Sequence, residues 1–301
     1  MKIKKILFIL LAIACLWACE KVEDIVDFPR HKSRLVVNGF FHADGRWEFD
    51  VSKSLSVIDN APLAKINNAS IQIFENDILI ETLTLPLIKD GFYHSDTDSK
   101  PVFGKNYSIV VSADGFESVS AADKLPTPVP IVSTDFKIID SSFYTSSGSN
   151  IYGYINSTVS IKFNDPVGEE NFYQLEVLYP YTLYNFDSSK YQNRFISFHL
   201  NSDDLSIEEG LEGNIIFSDL IFDGQTYEIS AEFTHYNAPP EFTYYIYFKS
   251  LSKSCFLYKK TYGLYLNKMN DPFAEPVQVY NNIENGFGIF AGYAADVDTI
   301  K

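Results

Sequence analysis

The stretch Gly104-Lys105-Asn106-Tyr107-Ser108-Ile109-Val110-Val111, followed by Ala113-Asp114-Gly115-Phe116-Glu117, decides the fold class. A glycine opens it, and the apolar residues Tyr107, Ile109 and Val111 recur at the two-residue period of a half-buried strand. Asp114-Gly115 then supplies the backbone freedom of a tight turn. Glycine turn, alternating strand and second turn together are a recurring arrangement in small extracellular β-sandwiches.

The same pattern runs outward on both sides. Leu35 to Phe40 reads as a strand entering a glycine turn, and Ala43-Asp44-Gly45-Arg46 is a hairpin turn. Trp47, Phe49 and Val51 alternate with polar residues, as do Ala69, Ile71 and Ile73. Asn76-Asp77 turns the chain into Ile78 to Leu83. No long helical period occurs between residues 35 and 124, which are expected to form an N-terminal β-sandwich. Leu125-Pro126-Thr127-Pro128-Val129-Pro130 reads as a short semi-rigid linker, because alternate prolines withhold donors from a sheet and favour extended geometry.

Residues 131–301 are expected to form a second β-sandwich. Its strands are read at Val132–Ile139, Val159–Phe163, Phe172–Leu178, Arg194–Leu200, Asn214–Leu220, Tyr227–Phe233 and Thr243–Phe248, with a mobile polar loop over 141–150. One helix stands out near 253–269, capped by Ser252 or Ser254. Tyr258, Tyr262, Tyr265 and Met269 share one of its faces and read as core packing against the sheet rather than as a ligand box. The fold class is therefore mainly β: two tandem immunoglobulin-like or fibronectin-like sandwiches, the second carrying one α-helix in its C-terminal half.

The N-terminus carries an address. Lys2, Lys4 and Lys5 precede twelve uncharged residues, Ile6 to Trp17, the length of a signal-peptide core. A membrane-spanning helix needs ~20. Leu16-Trp17-Ala18-Cys19 reads as a lipoprotein processing site, with Cys19 lipidated after removal of 1–18. Cys15 is a rival that would leave a shorter apolar core. Two or three acyl chains on Cys19 make a stable anchor, since each buried methylene contributes about 0.8 kcal/mol. Residues 19–34 then form an acidic tether whose last fifteen residues reach at most ~50 Å. Glu20, Lys21, Glu23 and Asp24 resemble the export signal of Bacteroidota surface lipoproteins, which implies display on the outer face of the outer membrane; a merely solvated tether has the same composition.

Composition excludes some roles. Removing residues 1–18 takes three lysines and no acid from a net charge of −15, leaving −18. Such a chain does not bind nucleic acid through a basic patch. The 25 Phe and 20 Tyr suit strands and, for tyrosine, binding surfaces. With Cys255 the only other cysteine after Cys19, no disulfide framework is expected, and Cys255 reads as a small buried residue.

Chemistry is sparse. His31, His42, His94, His199 and His235 show no ligand spacing, so neither zinc nor another cofactor is expected. No nucleophile elbow, zinc-protease helix or phosphate loop appears, and a non-enzymatic role is expected. Gly286-x-Gly288-x-x-x-Gly292 misses the dinucleotide spacing and reads as glycines that let the backbone pack closely. Asp203-Asp204, Glu208-Glu209 and Glu212 form an acidic loop; its oxygens suit calcium, but a solvated loop is the plainer reading. Tyr179, Tyr181, Tyr184 and Tyr191, interleaved with Asn and Ser, suit contact with a sugar, peptide or protein. They equally suit a hairpin covering its own sheet.

Asp271-Pro272-Phe273 with Glu275-Pro276-Val277, then Asn282-Ile283 and Gly286-Phe287-Gly288-Ile289-Phe290, resemble the C-terminal signature of the Bacteroidota lipoproteins called domain-of-unknown-function family 4249. Leu35-Val36-Val37-Asn38-Gly39, Asn68-Ala69, the Tyr107–Gly115 hairpin, and Asn164-Asp165-Pro166 followed by Asn171-Phe172-Tyr173 are similar too. The resemblance covers essentially the whole chain after the leader. It carries no established activity. It implies an accessory role beside a TonB-dependent outer-membrane transporter, by substrate capture or by docking on the barrel; the alternative is an adhesin or envelope-structural lipoprotein.

Overall fold

The computed structural model describes residues 32–56, 62–84, 91–97, 99–145, 151–185, 190–204, 206–209, 213–239, 241–269, 271 and 273–301. Cys19 and the acidic residues Glu20, Lys21, Glu23 and Asp24 lie outside the described residues. The fold is mainly β and of sandwich type, with a single helix among the described residues.

The hairpin read first in the sequence is β6 (Asn106–Ser112) against β7 (Val119–Lys124). Gly115 between them has φ +83°, which a side chain would strain. With β3 (Ser70–Glu75) and β4 (Ile78–Leu83) they form a four-stranded sheet, ordered β4-β3-β6-β7. Facing it are β1 (Leu35–Phe41), β2 (Glu48–Lys53) and β5 (Phe92–His94). Alternation decides what lies between: Leu35, Val37 and Phe41 of β1 meet Ile71 and Ile73 of β3 and Tyr107, Ile109 and Val111 of β6. Rings dominate this first core, with Phe41 5.4 Å from Trp47 and 5.5 Å from Tyr107.

The second core lies beneath β8 (Ile131–Thr145), β9 (Ile151–Asn164) and β14 (Thr226–Ala238), ordered β14-β9-β8. It is closed by β10 (Phe172–Asn185), β11 (Lys190–Ser197), β12 (Ile207–Glu209), β13 (Ile215–Ser218) and β15 (Tyr244–Leu251). Phe163 is its hub, 4.5 Å from Phe248 and 5.0 Å from Tyr173. The polar segment expected as a mobile loop is strand as far as Thr145, paired onward to Ile151; residues 146–150 are outside the described residues. Its polarity has a plain cause: Ser141, Ser142, Phe143 and Tyr144 are all exposed, so neither face of this ribbon needs apolar alternation.

The last strand, β16 (Phe287–Ile300), joins the two cores. Its first half runs parallel to β1, from Val36↔Phe287 to Phe41↔Gly292. Its second half runs antiparallel to β15, from Leu251↔Tyr293 to Tyr244↔Ile300. One nine-stranded sheet results, ordered β12-β13-β10-β15-β16-β1-β2-β5 with β11 also on β10. Phe290 and Ile283 enter the first core, and Phe290 stacks on Phe41 at 4.6 Å. Dividing the chain at 125–130 thus separates the earlier strands but not this one. The glycines fit the close-packing reading. Gly288 has φ +116°, and a Cβ there would sit 2.1 Å from the Val37 carbonyl oxygen. A Cβ on Gly292 would meet the Lys124 carbonyl oxygen at 2.8 Å and the Phe41 ring at 2.9 Å.

Helix α1 (Lys253–Lys268) lies on the outer face of the large sheet, against β16. Ser252 caps it, its Oγ accepting from the Cys255 N–H at 3.1 Å. The aromatic stripe is not its buried face. Cys255, Phe256 and Gly263 are buried, whereas Tyr265 is 40% and Met269 58% exposed. The helical period identified a face correctly but not which way it points. The small and wholly apolar residues take the sheet, and the amphipathic phenols take the flank, where ring and hydroxyl are both accommodated.

If β16 completes the first core, Phe290→Ala should cost about 3–5 kcal/mol in urea denaturation. Trp47, the only tryptophan besides Trp17, lies in the same aromatic cluster and reports the loss by fluorescence. An unchanged Trp47 transition would contradict the shared core.

Candidate functional site

The flank of α1 forms one wall of a groove of about 310 Å³. Tyr258 and Tyr262 come from the helix, four residues apart and so stacked one above the other, ring centroids 5.5 Å apart. Phe40 comes from the outward set of β1 and lies 5.7 Å from Tyr258, edge to face. Tyr293 rises from β16, and Lys249 from β15, its Nζ 5.3 Å from the Tyr293 ring centre. Lys259 completes the lining. His42 packs on the other flank of Tyr293, centroids 5.1 Å apart, and burial pulls its pKa below the ordinary histidine value. Burial likewise pushes the Tyr258 hydroxyl up and the Tyr293 hydroxyl up to about 12, so both stay protonated donors at neutral pH.

The floor is held by a polar network on the sheet's outer face. Lys249 Nζ lies 2.6 Å from Glu176 Oε2, both side chains largely buried. Glu176 Oε1 also accepts from Gln174 Nε2 and, at 3.1 Å, from Asn214 Nδ2. Gln174 Oε1 is buried without a partner among the described residues, a cost the network carries. The sequence signal for this site was available in part: Phe40 occupies an outward position of β1 where alternation calls for a polar residue.

The four tyrosines singled out in the sequence fall on the β10–β11 hairpin. Tyr179 and Tyr181 share one face of β10, and Tyr184 is paired with Tyr191 in the register. The side chains of Tyr184 and Tyr191 are outside the described set. Tyr179 packs on His235 at 4.5 Å and edges an open cavity of about 650 Å³ with Phe242 and Lys301. His235 Nδ1 is 2.9 Å from the Tyr244 hydroxyl, buried, with its pKa lowered by burial.

Two acids of the 203–212 segment are engaged in structure. Asp204 accepts from the Tyr227 hydroxyl and from Ser206 N and Oγ, at 2.9 and 2.7 Å, and Glu208 pairs with Lys260 at 2.6 Å. Glu212 lies outside the described residues. A trio the sequence did not suggest, Asp165, Asp219 and Asp223, brings carboxylate oxygens within 4.8 Å of one another, a donor type that suits a hard cation. Each oxygen set already has work. Asp165 accepts from the Tyr173 hydroxyl and Gly224 N–H, Asp219 from Asn171 N and Nδ2, and Asp223 from Gly168 N–H. The trio braces the Asn164-Asp165-Pro166 turn.

The seam between the cores holds one titratable joint. Asp123 of β7 accepts from Ser252 Oγ, the helix cap, and from the Gly292 N–H at 2.9 Å. Burial pushes its carboxyl up to about 6 from an ordinary 3.8. As pH rises the unfolded chain therefore ionises first, so the stability held below pH 4 is lost between about pH 4 and 6, by up to about 3 kcal/mol. Asp123→Asn should flatten that part of the stability–pH curve, read from urea melts at several pH values; an unchanged slope would remove Asp123 as its source.

No curated protein matches the chain in sequence. The family described as "Domain of unknown function (DUF4249)" is matched over residues 22–299, a span that includes both cores and the shared last strand, and the chain belongs to that family.

Proposed function

We propose that the protein is a non-enzymatic binding lipoprotein, held by lipid on Cys19 at the outer membrane and facing the cell exterior. There it serves a TonB-dependent transporter by capturing substrate or docking on the barrel. The observation that carries a binding role is the α1 groove. Its lining is rings and lysines, while Asp165, His235 and Asp123 elsewhere are engaged in holding turns, strands and the helix cap together. Rings with polar tips are the side chains that give binding surfaces large contact area at small entropic cost. The signal-like leader and the acid-rich stretch after Cys19 in the sequence support the location.

A second reading, an adhesin or envelope-structural lipoprotein, draws on β8. This strand lies at a sheet edge and exposes Val132 (57%), Ile139 (52%) and Tyr144 (59%). Edges of this kind invite pairing with another chain. Loss of attachment with normal nutrient uptake in a deletion strain would favour it.

Two measurements test the first reading. Cys19→Ala should abolish palmitate labelling, and protease added to intact cells should digest the wild-type protein. Labelling that persists and disappears only with Cys15→Ala would move the anchor, and digestion only after lysis would place the protein inside. Separately, the tagged protein in mild detergent should co-purify a TonB-dependent barrel; its absence under several growth conditions would sink the transporter role.

A further inference from the structure

The α1 groove has a definite chemical complement. Its walls are flat rings: Phe40, Tyr258, Tyr262 and Tyr293. The strip continues past the cavity to Tyr265, whose ring lies 6.2 Å from Tyr262 and nearly parallel to it, at 11°. None of the hydroxyls of Tyr258, Tyr262 and Tyr293 hydrogen-bonds to another described residue, so three phenol hydroxyls face a small space. The volume of about 310 Å³ falls at the small end of ligand cavities, which run from about 300 to 1,000 Å³.

Charge narrows the choice. The chain as a whole is −15, yet α1 carries Lys253, Lys259, Lys260 and Lys268 and no acid. Lys253 is paired with Glu170 at 2.8 Å and Lys260 with Glu208 at 2.6 Å. Lys249 in the groove is balanced by Glu176. Lys259, in the lining, has no ion pair among the described residues, so the groove presents one uncompensated positive charge.

Three ligand classes can be compared on these terms. A quaternary ammonium suits an aromatic cage, but here Lys259 repels it and Glu176 is already engaged by Lys249. A purely apolar ligand leaves the phenol hydroxyls without partners as it displaces their water, which costs free energy for each. A carboxylated sugar ring meets every feature. Its C–H face lies flat on a phenol, its hydroxyls exchange hydrogen bonds with Tyr258, Tyr262 and Tyr293, and its carboxylate takes the free ammonium. The continuation of the strip to Tyr265 gives a neighbouring sugar unit a surface too.

We infer that the groove between Phe40, α1 and Tyr293 binds an acidic pyranose unit of a glycan, its ring against the tyrosines and its carboxylate at Lys259. This deepens the capture role proposed above and rests on the groove being the binding surface, but not on the transporter.

The test is calorimetric titration of the lipidated full-length protein in mild detergent with a uronic-acid tetrasaccharide and with the neutral tetrasaccharide of the same linkage. The acidic sugar should bind about ten- to a hundredfold more tightly. Lys259→Gln should reduce the acidic sugar to the level of the neutral one and leave the neutral one unchanged. Tyr262→Ala should weaken both by about tenfold or more. Both side chains are half-buried at the surface, and unchanged urea melts keep the comparison clean. Equal binding of the two sugars, binding of neither, or binding of benzoate or tetramethylammonium in their place would each overturn the assignment. A barrel that co-purifies while no sugar binds removes this inference alone; sugar binding with no barrel removes the transporter role alone.

Discussion

The structure depends on one strand serving two sheets. Val36 and Phe287 are paired although 251 residues separate them, and the pairing is parallel, which local chain reversal cannot produce. The first core therefore stays open on one side until the end of the chain arrives with Phe290. Long loops must close before that contact is made, so the shared strand is entropically costly to place and slow to form. What holds it is steric as much as apolar. Gly288 lets the backbone pass against the Val37 carbonyl where a side chain would collide, and Gly292 passes between the Phe41 ring and Lys124.

From that strand the remaining geometry follows. At Gly292 the pairing changes from β1 to β15, and at that same point Asp123 accepts from the Gly292 amide and from Ser252, the cap of α1. The helix starts where the two cores meet because its cap is bonded to the first core and its body packs on the shared strand. The Glu176–Lys249 pair then fixes the polar floor beside it. A buried ion pair is weak evidence of stability, since desolvation offsets much of its attraction. Its use here is placement. It holds a lysine stem against Tyr293 and cancels its charge, so that Lys259 sets the sign of the groove.

What was legible in the sequence was local. Alternation at Tyr107, Ile109 and Val111, with glycines at 104 and 115, found a hairpin because both partners lie within a few residues of the turn. No local pattern of this kind carries information about a partner 251 residues away, as Val36 and Phe287 are. For α1 the period of Tyr258, Tyr262 and Tyr265 was real, and what failed was the step from aromatic to buried. Phenol rings are heavy enough to dominate a helical pattern, yet Cys255 and Gly263, weak signals in any periodicity, are what the sheet accommodates. The ribbon at Ser141 to Tyr144 escapes the alternation for a related reason. A strand with both faces in water lacks the contrast on which the period-two signal relies. The Tyr179–Tyr191 segment shows the limit of composition, since the register that pairs β10 with β11 is not contained in it.

The groove also depends on both ends of the described chain. Phe40 lies in β1, five residues after Leu35. The opposite wall, Tyr258 to Tyr293, comes from the last fifth of the chain. Only the parallel pairing of β16 with β1 brings the two walls together. The groove is therefore a property of the completed fold and is absent from either core built alone. A shared strand that looks like an expensive way to close a sandwich thus also ensures that the aromatic surface exists only on a finished molecule.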